Sequence, residues 1–103
     1  MYQIEYLQTA FDDLKEIVLY ISTELSNPEA AERLAEAIIN KADTLSEFPY
    51  GRPVYHPLKK LEKEYRTVYV NHYTLFYWIE EETKRVVIAR IIYSKRNVEN
   101  LFK

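Results

Sequence analysis

Cysteine is missing from all 103 residues, and glycine occurs once, at Gly51. Without thiols there is no disulfide framework, no cysteine nucleophile and no thiolate metal site. A phosphate-cradling loop or dinucleotide fingerprint needs several glycines, so a single one excludes nucleotide chemistry of those kinds. Histidine is scarce too. His56 and His72 stand sixteen residues apart, with no i, i+4 pair and no HExxH spacing, so neither a metal site nor a cofactor is expected. No apolar run approaches the roughly 18 residues of a membrane span. The opening "MYQIEYLQTA" lacks the basic and apolar regions of a signal peptide, so a cytoplasmic location is expected. Positive charge is not in surplus: the net charge is −2 and the pI about 5.7.

What is present is a foldable chain. Hydrophobic residues make up 48% of it, which is compatible with a packed core and argues against disorder, and residues 1–103 read as one domain. The charge is unevenly distributed. Residues 1–47 carry ten acids and three bases; residues 48–103 carry six acids and eleven bases. An acidic first half and a basic second half point to an anionic partner for the latter, or to two surfaces whose fields offset each other.

The period of the apolar residues changes along the chain. Tyr2, Ile4 and Tyr6 alternate with Gln3 and Glu5, a strand pattern. Thr9 then stands where it can cap the amide of Asp12, and Ala10, Leu14, Ile17, Ile21 and Leu25 recur at helical spacing, predicting a helix to about Glu24. "SNPEAAE" restarts the helix with Asn27 as N-cap and Pro28 at the first helical position. Ala31, Leu34, Ile38, Ala42 and Leu45 form its apolar stripe, and so short a link predicts an antiparallel helix pair. "EFPYGRP" is turn chemistry, with Gly51 suited to a positive φ, and it divides the helical half from the β-rich half. "YRTVYV", "YTLFYWI" and "RVVIARIIY" are β-rich runs separated by "NH" and "EEETK". The middle run is apolar on both faces, as suits a central strand, and "SKRNVENLF" is a short tail. The expected fold is α+β: a β-α-α hairpin followed by an antiparallel three-stranded meander and a short C-terminal tail.

The basic residues of the second half are the candidate functional groups. Lys59, Lys60, Lys63 and Arg66 lead into the first meander strand, and Tyr93, Lys95 and Arg96 follow the last one. Arg90 lies within that strand, read here on the face of Val86, Ile88 and Ile92. An unpaired buried guanidinium is costly, so it either meets an acid or opens toward a partner. Basic and aromatic side chains together can hold phosphates and stack on bases; a half-exposed sheet face with ordinary salt bridges has the same composition. The triplet Glu80-Glu81-Glu82 falls in a turn and reads as solvated surface rather than as an acid–base pair.

Taken together and in order, "FDDLKEIVLYISTELSNPEAAERL", "FPYGRPV", "YRTVYVNHYTLFYWI" and "VVIARIIYSKRN" resemble the RelE/ParE superfamily of toxins from bacterial type II toxin–antitoxin modules. The resemblance spans nearly the whole chain and leans toward ParE-like members, including Arg66, Arg90, Tyr93 and Arg96. It implies a cytoplasmic toxin neutralised by a cognate antitoxin, with which it forms an oligomer. It also implies one of two targets. ParE-like members poison DNA gyrase, with Arg66, Arg90, Tyr93, Lys95 and Arg96 as the target contacts here. RelE-like members are ribosome-dependent mRNA endonucleases that work without a metal, and Lys59, Lys60, Lys63, Arg66, Arg90, Tyr93 and Arg96 are then the catalytic candidates. The RelE-like pattern is broken twice: Thr74 stands where it has an arginine, and Phe102 where it has a tyrosine, and a phenyl ring exchanges no proton. A diverged member that binds its antitoxin with little toxicity is a third reading.

Overall fold

The computed structural model describes residues 1–57 and 61–95. Two helices pack on one face of a mixed four-stranded sheet of order β1-β4-β3-β2. The elements are β1 (Gln3–Tyr6), α1 (Gln8–Leu19, running into a π-helical turn, Tyr20–Glu24), α2 (Pro28–Asp43), β2 (Arg66–Val70), β3 (Tyr73–Glu80) and β4 (Arg85–Tyr93). The three meander strands are antiparallel as expected, and β1 lies parallel to β4, with Gln3 opposite Arg85 and Tyr6 opposite Ile88. No helix among the described residues is long and apolar enough to cross a membrane.

The core lies between the helices and the sheet. Leu34, Ile38, Ala42 and Leu45 from the second helical segment meet Val68, Val70, Leu75, Tyr77, Val86, Ile88 and Ile91. Each fully buried aliphatic chain here contributes about 1.5–3 kcal/mol. Tyr2, Ile4, Tyr6, Leu14, Ile17 and Ile21 close the rim. Asn27 caps α2 by accepting from the Ala30 amide at 3.1 Å, with Pro28 at the first position and Glu29 in the first turn. That cap is worth about 1 kcal/mol.

Three local expectations are corrected. Thr9 does not cap α1. The helix begins at Gln8, with the Leu7 carbonyl accepting from Ala10 and Phe11, and the Thr9 hydroxyl donates to the Ala89 carbonyl at 2.8 Å instead. Leu25 leaves the apolar stripe and is exposed. Ser22 and Thr23 donate to the Val18 and Leu19 carbonyls, and the backbone widens into the π turn before Leu25 is reached. Gly51 does not adopt a positive φ; it ends a 3-10 turn, Pro49–Gly51, and an added Cβ would make only ordinary contact with Phe48. Among the described residues the left-handed positions are Ser26, Asn71 and Lys84, with φ of 51°, 53° and 52°. Ser26 closes the helix terminus, and Asn71 and Lys84 sit in the two hairpin turns, so these sharp reversals are made without glycine.

A β-bulge decides the fate of Arg90. Phe76 pairs with Arg90 but Tyr77 pairs with Ile88, leaving Ala89 as the extra residue. The alternation shifts there, so Val86, Ile88 and Ile91 face the core, whereas Arg90 and Ile92 share the far face with their partners Phe76 and Thr74. Arg90 is therefore not on the face of Val86 and Ile88. A strictly alternating reading cannot anticipate one inserted residue. The far face is covered in part by the link into β2: Val54 bridges to Arg66, Tyr55 packs edge-on against Phe76, and Tyr65 packs edge-on against Trp78.

Candidate target-binding surface

The sequence-predicted residues separate into three places, and Lys59, Lys60 and Arg96, like Phe102, lie outside the described residues. Arg90 is the first. Strand β1 is shorter than β4, so beyond Ile88 the edge of β4 has no strand beside it. Side chains of α1 take over: the Thr9 hydroxyl donates to the Ala89 carbonyl, and the Asp13 carboxylate accepts the Ile91 amide at 2.9 Å. The same carboxylate holds Arg90 in a fork, Nε to Oδ2 at 2.7 Å and Nη2 to Oδ1 at 2.9 Å. Asp13 first, then burial and Glu16, set the balance that raises the Arg90 pKa. Arg90 has met an acid, and it staples α1 to the sheet.

Arg66 and Lys63 occupy a second place, at the end of the sheet near the β3–β4 turn. A cavity of about 160 Å³ is lined by Tyr50, Lys63, Glu64, Arg66, Trp78, Ile79 and Glu80. Arg66 is largely buried. Its Nη1 donates to the Arg52 carbonyl at 2.7 Å and its guanidinium lies 5.2 Å from the Tyr50 ring centre. It holds the "FPYGR" turn against the sheet, and the Tyr77 hydroxyl does the same from the core by donating to the Pro49 carbonyl at 2.5 Å. Lys63 sits 5.2 Å above Trp78 and 3.4 Å from Glu80. The acidic triplet is more than solvated surface. Glu81 accepts from Tyr2 and Tyr50, each at 2.7 Å, and from Lys84. Those bonds, Lys84 foremost, hold the Glu81 carboxyl down at about 2.

Tyr93 and Lys95 lie at the opposite end. Six residues of β3 separate Tyr73 from Ile79, about 20 Å at the usual rise per residue. Here the Asn71-His72 reversal brings the β2–β3 tip against the end of β4, where the Ser94 amide donates to the His72 carbonyl at 2.8 Å. Ser94 and Thr74 share a hydroxyl–hydroxyl bond of 2.8 Å, and Tyr93 packs edge-on against Tyr73 at 5.7 Å. The result is a groove of about 240 Å³ lined by Tyr69, Asn71, His72, Tyr93, Ser94 and Lys95. No carboxylate is among these lining residues. Tyr69 is 62% exposed, a large aromatic face turned to solvent. Phenols, an amide, an imidazole and an ammonium offer stacking surface and hydrogen bonds to a partner rich in acceptors.

Tyr69 and His72 line this groove and are not among the residues singled out from the sequence. The alternation of "YRTVYV" sets Tyr69 opposite to the core-facing valines, and that is the signal the sequence carries. The tertiary pairing that places it beside Tyr93 is absent from the local pattern.

Residues 4–98 match the family model described as ParE toxin of type II toxin-antitoxin system, parDE. No curated protein is significantly similar in sequence. Among solved structures, the chain superposes on a chain of the chromosomal ParDE system of P. aeruginosa with a TM-score of 0.73 at 18% identity, covering 92% of this chain and 98% of that one. A chain of the RelBE2 toxin–antitoxin complex of Mycobacterium tuberculosis gives 0.64 at 24% identity, covering 89% and 96%. The isolated E. coli RelE toxin gives 0.59 at 13% identity, covering 94% and 88%. These likenesses are of fold; the sequence match is what assigns membership. The chain belongs to the ParE toxin family of type II toxin–antitoxin systems, within the RelE/ParE superfamily.

Proposed function

We propose that this toxin acts by binding: it inhibits DNA gyrase, and a cognate antitoxin neutralises it. The observation that carries this reading is the engagement of its inner arginines. Cutting RNA requires a general base, an acid and cationic groups aimed at one phosphate. Arg90 is forked to Asp13, Arg66 is bonded to the Arg52 carbonyl, and Thr74, at the position where RelE-like members have an arginine, is bonded to Ser94. Among the described residues, the Tyr69–His72–Tyr93–Lys95 groove offers an accessible recognition surface, and Arg96 is next in the chain. Residues 1–103 are one toxin unit acting in the cytoplasm.

The supporting experiment is a supercoiling assay with purified gyrase. Inhibition by the wild-type protein, lost in a Tyr93→Ala/Lys95→Ala variant of unchanged melting temperature, is the expected result. Uninhibited supercoiling together with mapped cuts in ribosome-bound messages would sink it. That outcome would favour the second reading, an mRNA endonuclease, for which the imidazole of His72 and the ammonium of Lys95 in one groove are the specific support.

A further inference from the structure

We propose that the cavity between Tyr50 and Trp78 is a receptor for an arginine side chain carried by a protein partner, and that Lys63 holds the seat until that partner arrives. The inference concerns the end of the sheet remote from the Tyr93 groove and does not depend on the identity of the toxin's target.

The cavity already displays how it takes a cation. The Trp78 indole donates Nε1 to Glu80 Oε1 at 2.9 Å, which pins the carboxylate beside the ring. An aromatic face with a fixed carboxylate next to it is the pairing that recognises a guanidinium, which stacks on the ring and forks onto the acid at once. Lys63 meets both groups incompletely. Its ammonium lies 5.2 Å from the Trp78 ring centre and a long 3.4 Å from Glu80, and its side chain stays 46% exposed. An ammonium is a point charge and makes no fork, so an arginine is the better occupant of the same place.

Charge and volume agree. Arg66 is held in place by the Arg52 carbonyl, whereas Lys63 has, among the described residues, only the Trp78 ring and a long contact to Glu80. With Lys63 turned out to solvent, Glu64 stays 3.7 Å from Arg66, and Arg85, whose charge also reaches Glu80, stays paired with Glu5, so the Glu80 carboxylate is left to an incoming cation. An anion would meet two carboxylates and a guanidinium already in use. The roughly 160 Å³ of space leaves room for a guanidinium group.

Trp78 is the sole tryptophan, so the intrinsic fluorescence of the full chain reports on this cavity. N-acetyl-arginine amide, N-acetyl-lysine amide and inorganic phosphate are titrated in turn at constant ionic strength. A saturable change with the arginine amide is expected, at least several-fold tighter than with the lysine amide and absent with phosphate. Lys63→Ala should tighten arginine binding several-fold by removing the resident cation, and Glu80→Gln, checked for unchanged melting, should weaken it by tenfold or more. Weaker or unchanged binding in Lys63→Ala overturns the proposal. So does an equal response to the lysine amide, a larger one to phosphate, or no saturable change in either the wild-type or the Lys63→Ala protein.

Discussion

Replacing Asp13 by alanine removes three charge-assisted contacts in one step: two to Arg90, at 2.7 and 2.9 Å, and one from the Ile91 amide at 2.9 Å. It leaves a guanidinium that is only 21% exposed without this counter-charge and takes away the acceptor at the edge of β4. Breaking a fully buried pair costs about 3–5 kcal/mol. Asp13 and Arg90 keep 13% and 21% exposure, so water relieves part of that; about 2–3 kcal/mol is expected. At about 2.1 cal/mol/K of unfolding entropy per residue, each kcal/mol moves the melting temperature by about 4–5 °C, a fall of about 10 °C or more. Asp13→Asn keeps an oxygen for the Ile91 amide and should cost less, about 1–2 kcal/mol. Arg90→Met combined with Asp13→Ala should cost less than the two single changes added, by about 1 kcal/mol. Urea titration of the four variants measures all of this. An Asp13→Ala protein within about 0.5 kcal/mol of wild type, or additive single changes, would refute the staple. Undiminished stability of Arg90→Met with lost gyrase inhibition would return Arg90 to the target contacts.

Glu81 ionises at about 2 in the fold against a usual 4.5, because Lys84, Tyr50 and Tyr2 donate to its charged form. Its contribution is present above pH 4.5 and is lost as pH falls toward 2, since the unfolded chain takes up the proton first. Glu81→Gln should therefore flatten the acid limb of a stability–pH curve between those values; an unchanged limb counts against the network. The Tyr6 hydroxyl is buried with no partner among the described residues, and burial pushes its pKa up to about 12. Tyr6→Phe should stabilise the protein, by about 1 kcal/mol in denaturant titration, and a loss of stability would reveal a partner. Ser26→Gly relieves a left-handed serine and should gain about 0.5–1 kcal/mol, whereas Gly51→Ala should cost nothing. A damaging Gly51→Ala would mean that the turn needs glycine after all.

The helices and strands were legible because their signals are local. An Asn27 N-cap with Pro28 at the first helical position is a local signal, and the stripe from Ala31 to Leu45 fits one face of a 3.6-residue period. The three meander strands fell within a residue of their expected bounds, since alternating β-branched and aromatic runs between polar turns leave little freedom. Less was legible where two distant segments share a polar group. Thr9 fits a cap by its spacing, yet an unpartnered carbonyl on β4 claims its hydroxyl.

The amino-acid order by itself determined the element order, the apolar faces and the membership in a toxin family, because these depend on periodicity and on residue types in succession. Tertiary structure alone decided which charges are available. One bulged residue, Ala89, moved Arg90 off the face of Val86 and Ile88, and Asp13 holds its guanidinium. The packing of the "FPYGR" turn tied down Arg66, and the meeting of a hairpin tip with the end of β4 gathered Tyr69, His72, Tyr93 and Lys95 into one groove. The cost of burying an unpaired charge or an unbonded carbonyl depends on what lies beside it in space, and one-dimensional spacing does not specify that neighbour.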